Sequence, residues 1–150
     1  MFLTYEDLST IFSDITGTKE FDLDYQTVSL KADLHQPKGL YIPVDSASCD
    51  LQQAIANGAV GVVWEKGKAI PKYTPNHFPV FYTDDPARAA MEVFFTYRAK
   101  ISGKKMAKKD KTKFLFLDEK LLKEFYETYD NAVIEAKFNK LIEQFREEKE

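Results

Sequence analysis

A nearly continuous apolar run near the middle of the chain constrains the fold more than any other feature. Residues 59–64 read Ala-Val-Gly-Val-Val-Trp and directly follow Asn57-Gly58. Glycine at this point supplies the left-handed conformation that commonly ends a helix. A strand without polar alternation is typical of a strand that is covered on both faces. The run therefore predicts a buried central strand that follows a helix.

Strands and helices alternate on both sides of this run. The sequence predicts strands over residues 27–30, 40–44 and 80–83, and helices over residues 51–57 and 86–100. This alternation is typical of an α/β fold, in which helices cover a sheet. The predicted core consists of Val28, Leu40, Ile42, Leu51, Ile55, Val60, Val62, Val63, Val80, Phe81, Met91 and Phe95.

Several residues are expected to start, stop or bend these elements. Thr4 and Asp7 predict a capped first helix that continues through Ile15 and stops at Gly17. Asp50 or Ser48 caps the helix that begins at Leu51, and Asp84-Asp85-Pro86 opens the helix that follows. Pro43 predicts that its strand lies at a sheet edge or contains a bulge.

The character of the chain changes after residue 101. Residues 114–117 are a short strand candidate, and Asp118 caps a long helix that Asp130-Asn131 divides in two. The apolar stripe of this helix must be covered. It either docks on the α/β core or forms a seam with a second copy or a partner helix. The stripe consists of Leu122, Tyr126, Tyr129, Val133, Ile134, Phe138, Leu141 and Phe145.

Composition limits the class of protein. A chain of 150 residues is short for a complete ATP-driven ligase. No apolar run approaches the roughly 20 residues that cross a bilayer, and no basic segment leads into an apolar stretch at the start. The single cysteine, Cys49, excludes an intrachain disulfide and fits a reducing compartment. We therefore expect a cytoplasmic protein without a membrane span.

Positive charge is concentrated although the formal net charge is only −3. We expect no nucleic-acid partner, because no aromatic residues interleave with the lysine cluster, and we interpret the cluster as a solvated hinge. The alternative for the cluster itself is recognition of phosphate, nucleic acid or anionic lipid. The cluster consists of Lys100, Lys104, Lys105, Lys108, Lys109, Lys111 and Lys113.

Residues 3–101 resemble the N-terminal domain of the Mur ligases, in particular those that add the third amino acid and the terminal dipeptide to the UDP-muramoyl-peptide precursor of peptidoglycan. Residues 36–42 (QPKGLYI) are similar to that family's "kpGdlFvA" strand entry. Residues 54–63 (AIANGAVGVV) are similar to "Ai..GAvavv", and residues 80–90 with Tyr97-Arg98 to "v.v.D...AL..la..yr". The resemblance implies a Mur-ligase-like α/β domain over residues 1–101. A lysine-rich hinge and a helical extension follow over residues 102–150.

In the Mur ligases this domain holds the uridine end of the substrate with a Ser-Arg pair and an Asp-Gly-His loop. The corresponding positions here are Ala32-Asp33 and Ser46-Ala47-Ser48. An acid in place of the cation repels a diphosphate. Residues 101–105 contain Gly-Lys but lack the other glycine and the Ser or Thr of a phosphate-binding loop. The resemblance therefore implies a degenerate module that forms no amide bond by itself.

Other side chains give weaker chemical signals. His35 and His77 lie in turn-like segments with no metal-ligand spacing, so we predict no metal site. Cys49 near a helix start either has a lowered pKa or is a structural thiol, and we favour the latter. Asp84-Asp85 is interpreted as a helix start rather than a pair of catalytic acids. We predict no catalytic residue and no cofactor.

The sequence thus predicts a non-catalytic binding or interaction module with possible links to peptidoglycan precursors. Its ligand site is expected at Lys31, where the family's uridine cleft forms, and in the loop that holds Val44, Asp45, Ser46, Ser48 and Cys49. One alternative is a UDP-sugar- or nucleotide-binding part of a split ligase. Another is a structural protein that forms a homodimer or binds a partner protein through residues 118–145.

Overall fold

The computed structural model describes residues 1–19, 22–45, 49–128 and 130–148. Short strands alternate with helices along these residues, as the sequence predicts for an α/β protein. The strands are β1 (Leu3–Thr4), β2 (Ile15–Thr16), β3 (Asp24–Tyr25), β4 (Thr27–Ser29), β5 (Gly39–Tyr41), β6 (Ala59–Glu65), β7 (Val80–Thr83) and β8 (Lys113–Phe114). The α-helices are α1 (Tyr5–Ser9), α2 (Leu51–Ala56), α3 (Pro86–Ile101), α4 (Glu119–Glu127) and α5 (Asn131–Glu148).

Six strands form one mostly parallel sheet in the order β2-β7-β6-β5-β4-β8. Five of these strands run parallel to one another, namely β7, β6, β5, β4 and β8. The sixth strand, β2, pairs antiparallel with β7. β1 and β3 form a separate antiparallel pair. The apolar run of β6 lies in the middle of the large sheet, which accounts for its lack of polar alternation.

Successive residues of the central strands point to opposite faces of the sheet. Leu40, Val63 and Phe81 belong to one buried cluster, which also contains the apolar residues of α1, α3, α4 and α5. Tyr41 and Val62 belong to a second cluster, with α2 and the segment that leads into β7. The sheet is therefore the middle layer of the fold, with a larger buried cluster on one face and a smaller one on the other. All predicted core residues are buried except Ile55, Val60 and Phe95, which are half-buried.

The first helix is shorter than the sequence predicts. Thr4 and Asp7 form the expected capping box, with the Thr4 side chain accepting from the Asp7 amide. The Ser9 and Thr10 hydroxyls then donate to the carbonyls of Glu6 and Asp7 at 2.6 and 2.7 Å, which offers the backbone an alternative to a longer helix. The extension through Ile15 is wrong, because Ile15 pairs with Phe81 in the sheet.

Of the two alternatives predicted from Pro43, the sheet edge is wrong, whereas the ladder between its strand and β6 does contain an irregularity. β5 lies between β4 and β6 rather than at an edge, and it ends at Tyr41, so Pro43 lies beyond the strand and removes no ladder hydrogen bond. The irregularity in β5 falls earlier, where its register with β6 shifts between Gly39 and Leu40. A Cβ on Gly39 would lie 2.6 Å from the Gln36 carbonyl oxygen, so only glycine fits this bend.

After residue 102, the described elements β8, α4 and α5 pack on the same sheet as the rest of the chain. Lys113 and Phe114 pair with β4, and a turn closed by Leu117 N–H and the Phe114 carbonyl ends the strand, which is shorter than predicted. Asp118 caps α4 as expected. The predicted long helix is divided into α4 and α5. Tyr129, a residue of the predicted stripe, lies outside the described residues.

The helical stripe docks on the core, as one of the two sequence interpretations requires. Its members Ile134, Phe138 and Phe145 are buried, and Phe125 and Ile142 are buried beside them. Phe138 lies between Phe116 and Phe125, with ring centroids 5.5 and 6.5 Å away. Val133, which the sequence places in the stripe, is 42% exposed. Leu122, Tyr126 and Leu141 are half-buried against the same cluster, so among the described residues the predicted face is the one that docks, except at Val133.

Candidate functional site

The carboxyl ends of the parallel strands meet at one edge of the sheet, and this edge holds two clefts. The chain proceeds outward from β4 through β5, β6 and β7, and then returns to the other side of β4 with β8. The strand order therefore reverses between β4 and β8. In open α/β sheets, ligands bind outside the carboxyl ends of the strands near such a reversal. We call this region the carboxyl edge.

The larger cleft lies beyond the ends of β5 and β6 and has a volume of about 470 Å³. Its walls come from the segment after β5, the start of α3 and the last turn of α5, and from Trp64, Glu65, Lys68 and Ala69. Pro86 lies here because Asp85 caps α3, its side chain accepting from the Arg88 amide at 3.3 Å. Of the paired acids Asp84 and Asp85, Asp85 thus serves as the N-cap of a helix, as the sequence predicts.

Charged side chains of both signs line the larger cleft. Asp45 and Glu65 contribute carboxylates, and Lys68 and Arg146 contribute cations. Lys68 Nζ lies 3.0 Å from Glu65 Oε2, with both side chains about half-exposed. Such a pair holds its partners weakly, because water screens it, so Lys68 can exchange Glu65 for a ligand at little cost.

Cys49 lines the larger cleft as a thiol rather than a thiolate. Burial raises its pKa, and this outweighs a hydrogen bond with Tyr41 and the charge of Lys68, which both lower it. The lowered pKa considered from the sequence is therefore wrong, because loss of solvent exceeds any stabilisation at the helix start. Burial also raises the pKa of the Tyr41 hydroxyl, which accepts from the Asp50 amide at 3.3 Å. Neither group is a ready nucleophile or base.

The smaller cleft lies at the reversal point itself and has a volume of about 270 Å³. Lys31 lines it, together with Ser29 at the end of β4 and Phe116 after β8. Gln36 fixes the backbone of this segment, because its side-chain amide donates to the Lys31 and Leu34 carbonyls at 2.9 and 3.1 Å. The Lys31 backbone is thus rigidly placed.

The last turn of α5 separates the two clefts. Phe145 is buried against the smaller cleft, with Lys31 Nζ 5.6 Å from the centroid of its ring. The next residue, Arg146, faces the larger cleft, and its Nε donates to the Val44 carbonyl at 3.1 Å. The end of α5 therefore lies across the carboxyl edge and covers part of it.

The structure brings some of the sequence-predicted ligand residues together and separates others. Val44, Asp45 and Cys49 share the larger cleft, whereas Lys31 lines the smaller one. Ser46 and Ser48 lie outside the described residues.

Sequence reasoning missed seven of the ten residues that line the larger cleft, among them Trp64, Glu65, Lys68 and Arg146. Trp64, Glu65 and Lys68 could have been found, since they follow a predicted parallel strand at its carboxyl end. Nothing local in the sequence of α5 indicates that Arg146 reaches Val44, 102 residues earlier.

The remaining chemical signals do not converge on a site. His35 and His77 are exposed, and the His77 carbonyl accepts from the Thr18 amide at 3.1 Å. Among the described residues, no three His, Cys, Asp or Glu side chains are placed to hold a metal ion. In the same part of the chain, no helix combines the length and the apolar character that crossing a membrane requires.

Comparison with known proteins does not assign the chain to a family. No family model matches its sequence, and no curated protein or solved structure is significantly similar to it.

Proposed function

We propose that this chain is a non-catalytic module of the Mur ligase type that acts by binding at the carboxyl edge of its sheet, in the metabolism of peptidoglycan precursors. The larger cleft is the observation that carries the proposal. It lies where α/β sheets bind ligands, and Lys68 and Arg146 offer two cations to it. The motifs at residues 36–42, 54–63 and 80–90 support the family.

The chemistry of the cleft supports binding rather than catalysis. A nucleophilic thiol needs a lowered pKa or an adjacent base, and the pKa of Cys49 is raised. The carboxylate of Glu65 is paired with Lys68. Residues 101–105 lack the pattern of a loop that holds ATP phosphates.

Calorimetric titration of the full chain with UDP, UDP-N-acetylmuramic acid and UDP-muramoyl peptide tests the proposal. We expect saturable binding of at least one precursor and no amide formation when ATP and an amino acid are added. ATP-dependent ligation by the pure chain contradicts the proposal, and so does a flat response to every precursor.

Two matched lysine variants locate the bound precursor. Lys68→Ala removes a cation that lines the cleft, and we expect it to weaken binding about tenfold, the effect of losing one charge-assisted contact of about 1.4 kcal/mol. Lys66→Ala is the control, because Lys66 is exposed close by in the same turn but does not line the cleft. Equal affinities of the two variants place the ligand elsewhere.

A split-ligase component that binds the uridine end of the precursor is a second candidate. The smaller cleft favours it, because Lys31 lies at the reversal point of the strand order. This candidate requires that UDP alone binds and that Lys31→Ala weakens the binding. Binding of a muramoyl peptide that lacks uridine, without binding of UDP, excludes it.

A homodimer or partner complex through residues 118–145 is a third candidate. The buried side of this segment packs on its own core, so a partner has to use the outer side, where Val133 is exposed. Light scattering of the full chain tests self-association. A monomeric mass at high micromolar concentration excludes the homodimer.

A further inference from the structure

A third and larger groove shares Leu115 with the smaller cleft. It runs between the edge strand β8 and the helix α4 and has a volume of about 840 Å³. Phe114, Leu117, Leu122 and Tyr126 supply its apolar floor. We call it the β8–α4 groove. It shares no lining residue with the larger cleft, which carries the proposed function.

The rim of the β8–α4 groove is strongly basic. Five lysines line it against two glutamates, which leaves an excess of positive charge. Lys109, Lys113 and Lys123 are exposed, and Lys111 Nζ lies 5.6 Å from the centroid of the Tyr126 ring. Four lysines of the cluster that the sequence suggested to be a hinge therefore line an apolar floor. The charge and the apolar floor together favour a partner that is both acidic and apolar.

The backbone of β8 adds a directional feature. β8 is the last strand of the sheet, and its Lys113 and Leu115 amides donate toward β4, to the Gln26 and Val28 carbonyls, each at 2.9 Å. Alternate residues of a strand point their backbone groups to opposite sides, so the Phe114 amide points away from β4. The groove thus has a strand edge on one wall and a helix on the other, which is the arrangement that binds extended peptides by strand addition.

Other occupants fit the groove less well. A second copy that paired through its own β8 would bring lysines against lysines, which is unfavourable across a strand pair. A nucleic acid would need several exposed rings for stacking, whereas Tyr126 is half-buried and Lys111 lies over it. A bilayer surface contacts protruding apolar residues, and the floor of this groove is recessed.

From these features we propose that the β8–α4 groove binds an extended peptide segment that alternates apolar residues with aspartate or glutamate. The apolar side chains of the segment contact Leu122 and Tyr126, and its acids face Lys113 and Lys123. The segment lies along β8 and accepts a hydrogen bond from the Phe114 amide.

Selection of random ten-residue peptides displayed on phage against the immobilised full chain tests this proposal without prior choice of a ligand. We expect enrichment of peptides with two or more acids alternating with apolar residues. A selected peptide, labelled with a fluorophore, should bind with an affinity that falls at least tenfold between 50 and 300 mM salt, because ion pairs contribute to it. No enrichment, or enrichment of basic peptides, overturns the proposal.

Matched charge reversals locate the binding. Lys113→Glu with Lys123→Glu should lower the affinity at least tenfold. Lys72→Glu with Lys140→Glu changes the net charge equally at exposed lysines that do not line the groove, and should leave the affinity within twofold. Both pairs are exposed, so equal melting temperatures show that folding is intact. Equal loss in the two double variants means only general charge attraction and overturns the proposal.

Hydrogen exchange of the complex tests the strand addition. We expect slower exchange of the Phe114 amide on peptide binding, and a proline in the middle of the selected peptide should abolish both binding and protection. Protection elsewhere without change at Phe114 overturns the proposal. Two other probes compete with the peptide, a twenty-residue oligothymidine and an anionic phospholipid vesicle. Tighter binding of either probe at the same lysines also overturns the proposal.

Discussion

Thr112 joins four separate parts of the chain through hydrogen bonds in a place that water does not reach. Its hydroxyl donates to the Tyr25 carbonyl at 2.6 Å and accepts from the Leu3 amide at 2.8 Å. Its own amide donates to the Tyr97 hydroxyl at 2.9 Å, and that hydroxyl donates to the Met1 carbonyl at 2.6 Å. The side chain and the amide of this one residue thereby tie β1, β3 and α3 to the segment that leads into β8.

Thr112→Val keeps the shape of this side chain and removes its hydroxyl. The Leu3 amide and the Tyr25 carbonyl then lose a buried partner, so we expect the free energy of unfolding to fall by about 1–3 kcal/mol. Urea denaturation measures the change. Thr16→Val, at an exposed position of β2, is the matched control and should stay within about 0.5 kcal/mol of the parent. A similar stability of both variants contradicts the role given to Thr112.

Cys49 provides a test of the chemistry at the carboxyl edge. Because burial raises the pKa of its thiol, we expect iodoacetamide to label it more slowly at pH 8 than a cysteine in an unfolded peptide, with the midpoint of the rate shifted to higher pH. The raised pKa also makes a contribution to stability that is full below the pKa of the unfolded thiol and is lost as pH rises through the folded value. Labelling faster than in the peptide would show a nucleophilic thiol after all.

At the scale of the elements, the backbone of β6 comes very close to the buried ring of Tyr25. Gly61 lies in the middle of this strand, and a Cβ there would lie 2.7 Å from the Tyr25 hydroxyl and 2.9 Å from Cε1 of the same ring. Tyr25 is fully buried and cannot move away without disturbing the first buried cluster. The glycine within the apolar run is therefore required by packing on the ring.

Gly61→Ala should accordingly destabilise the protein by about 1–3 kcal/mol, the usual cost of overpacking. Tyr25→Phe removes the nearest atom, so the double variant should be more stable than the sum of the two single effects predicts, by at least 0.5 kcal/mol. Denaturant unfolding of all four proteins completes this cycle. Strict additivity would mean that the strain is relieved elsewhere.

The elements differ in how well the sequence predicts them. α2, α3, β6 and β7 were predictable, because their caps and apolar periods are local signals. The end of α1 was not, since it depends on the ladder that Ile15 forms with β7, and Pro43 misled because a strand's place in the sheet is a non-local property. The carboxyl-edge cleft was predictable on the side of Val44 and Cys49, but the part that α5 contributes required the packing of the whole chain.

In the whole molecule, α5 belongs to the same buried cluster as the sheet. Phe138 is fully buried within it, whereas the single tryptophan, Trp64, lies in the cluster on the other face. The division into a domain and a hinge with an extension after residue 101 stays a prediction. In the structure, these residues supply one sheet strand and most of one helical layer.

Phe138→Ala should therefore lower the free energy of unfolding by about 3–5 kcal/mol. If the layers unfold together, Trp64 fluorescence and far-ultraviolet circular dichroism will report the same lowered midpoint in denaturant. Val133→Ala, on the exposed side of the same helix, is the control and should change stability by less than about 0.5 kcal/mol. An unchanged fluorescence transition in Phe138→Ala would show that α5 unfolds independently.

The late position of β8 in the chain has a consequence for synthesis on the ribosome. β4 stays an open strand edge until residues 113 and 114 have emerged, and the face that α5 covers stays bare until residues 134–145 follow. A nascent chain in this state presents both an unpaired edge and an apolar surface, the two features that promote aggregation. A nascent chain of this protein is thus expected to aggregate more readily before α5 has emerged than after it has docked.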